Sequence, residues 1–179
     1  EDGALQGLME EMSANGYKVE TAEGSFFPVI DYTFYQRYEG AMSKELKAYF
    51  ALLATESENP PAKDAALQID WGEILQRGGE QDRFLQEHPT SIRAERVRGL
   101  RDNYLRFALF GLDNTPLFTP GRKEMVPGAK EAYQAFAREG GAGEFAGVIK
   151  DYVGMLQEHD FHLTTEVEGF RGQLVTGWQ

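Results

Sequence analysis

The sequence predicts a mostly all-α fold: an irregular antiparallel bundle of about seven helices, with a small β-hairpin near residues 17–30. Apolar residues recur at three- and four-residue steps through most of the 179-residue chain, the period of one helical face. Helix-start and helix-stop signals punctuate these stretches. The connections are mostly short, which makes successive helices antiparallel neighbours. Val97, Leu100, Arg101, Tyr104, Leu105, Ala108 and Leu112 form the longest such stripe, and the helix carrying them is expected to be the central beam of a single helical domain spanning residues 1–179.

Leu5, Leu8, Met9 and Met12 mark a first short helix that Asn15-Gly16 stops. Tyr17, Val19 and Thr21 then alternate with Lys18 and Glu20, the period of a strand. Ala22-Glu23-Gly24 signals a turn, and Ser25–Ile30 is apolar and extended, with Pro28 confining it to an edge. Asp31 can cap the next helix, carrying Phe34, Tyr35, Tyr38 and Met42. Ser43 can re-cap a second piece with Leu46, Tyr49, Phe50 and Leu53. One kinked helix and two separate helices both fit this stretch. Ser57–Lys63, with Asn59-Pro60-Pro61, is the clearest loop.

Ile69-Asp70-Trp71-Gly72-Glu73-Ile74 reads as a capping box with a hydrophobic staple. The helix it opens runs through Leu75, despite Gly78-Gly79, to Phe84 and Leu85, until Pro89 interrupts it. Thr90 or Ser91 is then the expected cap of the central helix, and Gly111–Pro116 its stop. Residues 117–125 read as a loop, and Pro127 suits the first turn of a helix with Ala129, Ala132, Tyr133 and Phe136. Gly140–Gly143 ends it. Phe145, Val148, Ile149, Tyr152, Val153 and Leu156 form the next stripe. Thr165-x-x-Glu168 opens a last helix, after which Trp178 is expected to dock on the core.

Composition excludes several classes of function. With no cysteine, disulfides, thiolate zinc sites and a cysteine nucleophile are out. A net charge of −11 and a pI near 4.8 argue against nucleic acid, where basic patches supply the affinity, and against anionic membrane surfaces. No apolar run reaches the roughly 18–20 residues of a membrane span. The chain starts at Glu1 with no signal-like apolar segment, which fits a processed exported protein and a trimmed cytosolic one; export is the expectation.

EGSFFPVIDY at 23–32, KDAALQIDWGEI at 63–74, FLQEHPTS at 84–91 and YLRFALFGLDNTP at 104–116 together resemble a group of small bacterial secreted or lipoprotein-type proteins with no assigned function. The resemblance implies a helical extracytoplasmic domain and carries over no active-site residue.

Five residues are candidates for ligand binding. Arg101 lies within an apolar arc, where a charge needs a partner: it either anchors an anion in a pocket beside Tyr104 or pairs with an interior carboxylate. Glu23, Asp31 and Tyr35 belong to an aromatic stretch, 26–38, that could form a cleft for an amphipathic ligand or simply pack as core. His159 and His162 have the spacing of a metal-ligand pair, although no third ligand is supplied by any recognised motif; the alternative is a polar helix end. Arg93, Arg96, Arg98 and Arg106 make the central helix locally basic, either for an acidic partner or to satisfy the protein's own carboxylates. No residue is assigned a catalytic role and no cofactor is expected. The expected function is a non-catalytic extracytoplasmic binding or interaction domain with an unknown protein or small-molecule partner in the cell envelope; the alternative is a metal-assisted or carboxylate-based hydrolase.

Overall fold

Backbone hydrogen bonding in this chain is satisfied mainly within helices, which account for 65% of it, and the strands form only small two-stranded antiparallel sheets. The structure, a computed structural model, describes residues 2–22, 24–139 and 141–176. Glu23, Gly140 and Trp178 therefore lie outside the described residues. No described helix is long and apolar enough to cross a membrane. The chain forms two compact units, Glu1–Asp64 and Ala65–Gln179.

In the first unit, helix α1 (Asp2–Ala14) turns through Asn15-Gly16 into strand β1 (Tyr17–Ala22), which pairs antiparallel with β2 (Ser25–Ile30). The register sets Tyr17 opposite Ile30, Val19 opposite Pro28 and Thr21 opposite Phe26, so one face of the hairpin carries these six residues and no charge. Two helices follow where the sequence allowed one or two. A 3-10 helix (Tyr32–Ala41) is capped by Asp31, whose carboxylate accepts the Thr33 amide at 3.0 Å. Helix α2 (Lys44–Glu58) is capped by Ser43, which accepts the Leu46 amide. Ser57 joins α2 to the hairpin: its hydroxyl donates to the Ile30 carbonyl at 3.2 Å, and its own carbonyl accepts from the Lys18 ammonium. Leu53 and Ala54 are the hydrophobic residues fully buried among those described in this unit.

The second unit holds the main core. Helix α3 (Trp71–Glu87) starts where Asp70 accepts the Glu73 amide at 2.8 Å. Only half of the expected capping box forms, because the Glu73 carboxylate turns to Arg77 one turn on. Helix α4 (Ala94–Phe110) begins later than expected. Ser91 accepts the Arg93 amide at 3.0 Å and shapes the turn before the helix, which has no side-chain cap of its own. Gly111 ends α4 with a positive φ of 71°. Helices α5 (Pro127–Glu139), α6 (Glu144–Glu158) and α7 (Thr165–Thr176) complete the unit. Thr164, one residue before the expected cap, accepts the Val167 amide at the start of α7.

The helix with the most extensive neighbours is α3, which packs on α4, α5 and α6; α4 meets α3 and α7. The expected central beam is thus one member of a pair, and its partner is the hub. Two adjacent glycines show how α3 manages this. A Cβ on Gly78 would lie 2.3 Å from the Phe145 ring, so α6 reaches α3 only because that position is glycine. A Cβ on Gly79 would meet nothing closer than the Phe136 ring at 3.8 Å, an ordinary contact.

Tyr133 and Tyr152 meet edge to face at the centre of the core, 6.5 Å between ring centroids. The Tyr133 hydroxyl donates to the Ala108 carbonyl. Burial pushes the Tyr133 phenol well above its ordinary pKa, and Tyr152 adds to the shift. Burial raises Tyr152 too, against the pull of the nearby Arg171 guanidinium.

Two outcomes follow. Gly78→Ala is expected to destabilise the fold by about 1–3 kcal/mol through overpacking, while Gly79→Ala stabilises it by roughly 0.5–1 kcal/mol by removing backbone entropy from a helix interior; denaturant midpoints separate the two, and equal shifts contradict the packing. For the tyrosines, a raised folded pKa gives stability that is intact below the unfolded value of about 10 and is lost as pH climbs from there towards the folded value. An alkaline absorbance titration is expected to ionise exposed tyrosines first, with Tyr133 and Tyr152 following only as the helical circular dichroism collapses. Ionisation of every tyrosine with helix retained contradicts their burial.

Candidate functional site

Arg101 and Asp82 are the buried charged pair of the second unit. Arg101 sits on the inward face of α4 and Asp82 on that of α3, with side chains only 8% and 3% exposed. Arg101 Nη1 donates to Asp82 Oδ1 at 3.2 Å and to Glu144 Oε2 at 2.9 Å, while its Nη2 lies 3.3 Å from Asp102 Oδ1. Asp82 Oδ2 also accepts the Phe145 amide at 3.3 Å and the Gln86 side-chain amide at 3.0 Å. The start of α6 has no cap of its own, since Gly143 occupies that position. Asp82 therefore caps α6 from another helix, placing a carboxylate at the positive end of the helix dipole. Gly143 is required for this approach: its φ is 110°, and a Cβ there would lie 1.9 Å from Asp82 Oδ2.

Of the two readings of Arg101, these contacts match the interior pair. The guanidinium is directed at carboxylates on α3, α4 and α6, and Arg101 does not line the cleft described below. Tyr104, one turn on, receives a hydrogen bond from Arg77 Nη1 at 3.3 Å; Arg77 is itself buried and tied to Glu73. Asp82 and Arg77 were not singled out from the sequence. Both follow the apolar spacing of Ile74, Leu75 and Gly78 along α3, the same signal that marked Arg101 on α4.

The remaining described candidates have other partners. Asp31 spends its carboxylate on the Thr33 amide and hydroxyl. Tyr35 stacks on Phe50, 5.3 Å between centroids at 24°, within a cluster that includes Tyr32 and Phe34. Glu23 is outside the described residues. His159 ends α6 and its Nδ1 lies 3.4 Å from the Thr164 hydroxyl; His162 Nε2 lies 3.8 Å from Glu124. Among the described residues no three His, Asp or Glu side chains are grouped to hold a metal ion. Near His159, Glu166 at the start of α7 is held below the usual carboxylate range, by its own backbone amide first and the Thr164 hydroxyl next. Arg96, Arg98 and Arg106 are exposed and form no ion pair among the described residues, so these three do not satisfy carboxylates of neighbouring helices.

A cleft of about 520 Å³ opens between α3, α5 and the segment leading into α6, lined by none of the candidate residues. In the first unit, large apolar side chains stand in solvent: Phe26 is 78% exposed, Leu5 60% and Leu8 53%, with Met9, Tyr17, Ile30 and Tyr38 also exposed. No protein-family model, curated protein or solved structure matches this chain.

Replacing Arg101 with Met is expected to cost about 3–5 kcal/mol, because it strands the Asp82 carboxylate in the interior. Glu144→Gln, at a side chain 64% exposed, should stay within about 1 kcal/mol. Urea unfolding of both variants is the measurement, and an Arg101→Met protein as stable as the parent rules out the buried pair.

Proposed function

We propose that this protein is a non-catalytic binding domain that docks a protein partner through the apolar surface of residues 1–64. The observation that carries this reading is the imbalance in that unit: Leu5, Leu8, Met9, Tyr17, Phe26, Ile30 and Tyr38 are exposed while Leu53 and Ala54 are its fully buried hydrophobic residues. Exposed apolar patches commonly mark interaction sites, and a two-stranded hairpin gains stability when its faces are covered. The uncharged face of β1 and β2 and the Leu5–Leu8–Met9 stripe of α1 supply the exposed apolar side chains. A protein fits better than an anionic lipid surface, because α1 contains acidic residues and no lysine or arginine, the reverse of a membrane-surface helix.

The hydrolase alternative has less support. The buried charges pair with one another, and His159 and His162 have separate partners. The extracytoplasmic location rests on the resemblance of the four motifs to secreted and lipoprotein-type proteins.

The test is a photocrosslinking side chain placed at Phe26 or Leu8 in the producing cell, with the exposed position Asp151 on α6 as control. A discrete protein adduct is expected from the first two positions and none from the third. Adducts of equal yield at all three, or at none, overturn the reading.

A further inference from the structure

A glycine inside a helix costs about 0.5–1 kcal/mol relative to alanine, so each one in α3 calls for a physical reason. Gly72 adjoins the cap, and Gly78 is required by the Phe145 ring. Gly79 has no such requirement, since a Cβ would fit at ordinary contact distance from Phe136. What its missing side chain leaves open is the cleft of about 520 Å³.

Along α3 the cleft is lined by Gly72, Gln76, Gly79, Arg83 and Gln86, a four-three-four-three spacing that follows one helical face. The opposite wall, on α5, is Ala132, Ala135, Phe136 and Glu139, and Ala142 and Ala146 add a third side. The floor is thus small side chains and one aromatic ring. Gln76 and Gln86 each donate to an acid one turn on, Glu80 and Asp82. Arg83 differs: it lines the cleft, is exposed and has no hydrogen-bond or ion-pair partner among the described residues. Arg96, Arg98 and Arg106 on α4 are equally uncommitted, but of these four guanidiniums only that of Arg83 stands beside the apolar floor of the cleft.

We infer that this cleft is a binding site for a small monocarboxylate with an apolar body, such as a medium-chain or aryl acid. Arg83 meets the carboxylate through charge-assisted hydrogen bonds. The Phe136 ring and the glycine and alanine walls take the hydrocarbon. Glu139, on the far wall, disfavours a second negative charge on the ligand. The volume lies within the ~300–1,000 Å³ of small-molecule sites, and walls from three segments suit a compact ligand better than a docked helix. The site is built from residues of the second unit and the surface proposed for protein docking from residues of the first, so the two proposals rest on different residues and either can fail without the other.

The experiment titrates the full chain with octanoate and phenylacetate, with octanol and phenethylamine as matched neutral and cationic probes. Binding is followed by thermal shift and by the methyl resonances of Ala132 and Ala135. The carboxylates are expected to raise the melting temperature and move those methyls, and the neutral and cationic probes to do neither. Arg83→Gln should weaken carboxylate binding about tenfold or more, the usual scale for losing a hydrogen bond to a charged group. Gly79→Leu should fill the cleft and abolish binding. If Gly79→Leu fails to fold, Arg83→Gln and the methyl map decide. The inference is overturned if neither carboxylate moves the two methyls, if all four probes act equally, or if binding survives Arg83→Gln undiminished.

Discussion

The second unit depends on one carboxylate. Asp82 receives a guanidinium from α4 and a backbone amide from α6 while anchored on α3, so one buried acid joins three helices at a single point. Placing an ion in the interior is costly, and its attraction to a single partner seldom recovers the whole cost. Here the remaining oxygen is satisfied by the Phe145 amide and Gln86. The arrangement also constrains residues with no charge of their own. Gly143 is glycine because Asp82 occupies the space of its Cβ, and Gly78 because the Phe145 ring, anchored just beyond the capped amide, fills the space beside α3.

Local features of the fold were legible in the sequence, because their causes lie within a few residues of each other. Asp31, Ser43 and Asp70 cap the elements they precede, Pro127 begins α5, and the period-two stretch at 17–21 forms β1. The buried arginine was legible as well, as a charge out of place in an apolar arc. The role of α3 was not, because Gly78, Gln81 and Asp82 lower the apparent apolarity of a helix that buries them all. The cap of α6 was illegible in a stricter sense: its donor and acceptor are separated by 63 positions, beyond any local pattern.

The same contrast applies to the functional candidates. Chemistry-bearing residues drew attention in the sequence, yet in the folded chain most of them stabilise neighbouring backbone or one another. Much of the wall of the cleft between α3 and α5 is glycine and alanine, residue types that carry no reactive group, and its polar members gather only once the helices are placed side by side. The aromatic stretch at 26–38 could be read as a cleft or as core for a related reason. Helical spacing records that one face differs from the others, and it does not say whether that face turns inward or towards another molecule.

The contacts of Asp82 also bear on the order of assembly. Its link to Arg101 closes a span of 19 positions, the link from Arg101 to Glu144 one of 43, and its link to the Phe145 amide one of 63. Loop closure costs more entropy as the span lengthens, and contacts near in sequence form sooner. The α3–α4 hairpin is therefore favoured as the early structure, holding its carboxylate in place before α6 arrives. When α6 packs it then finds its cap already oriented, and the acid that would be a liability in a collapsed chain becomes the template on which α6 starts.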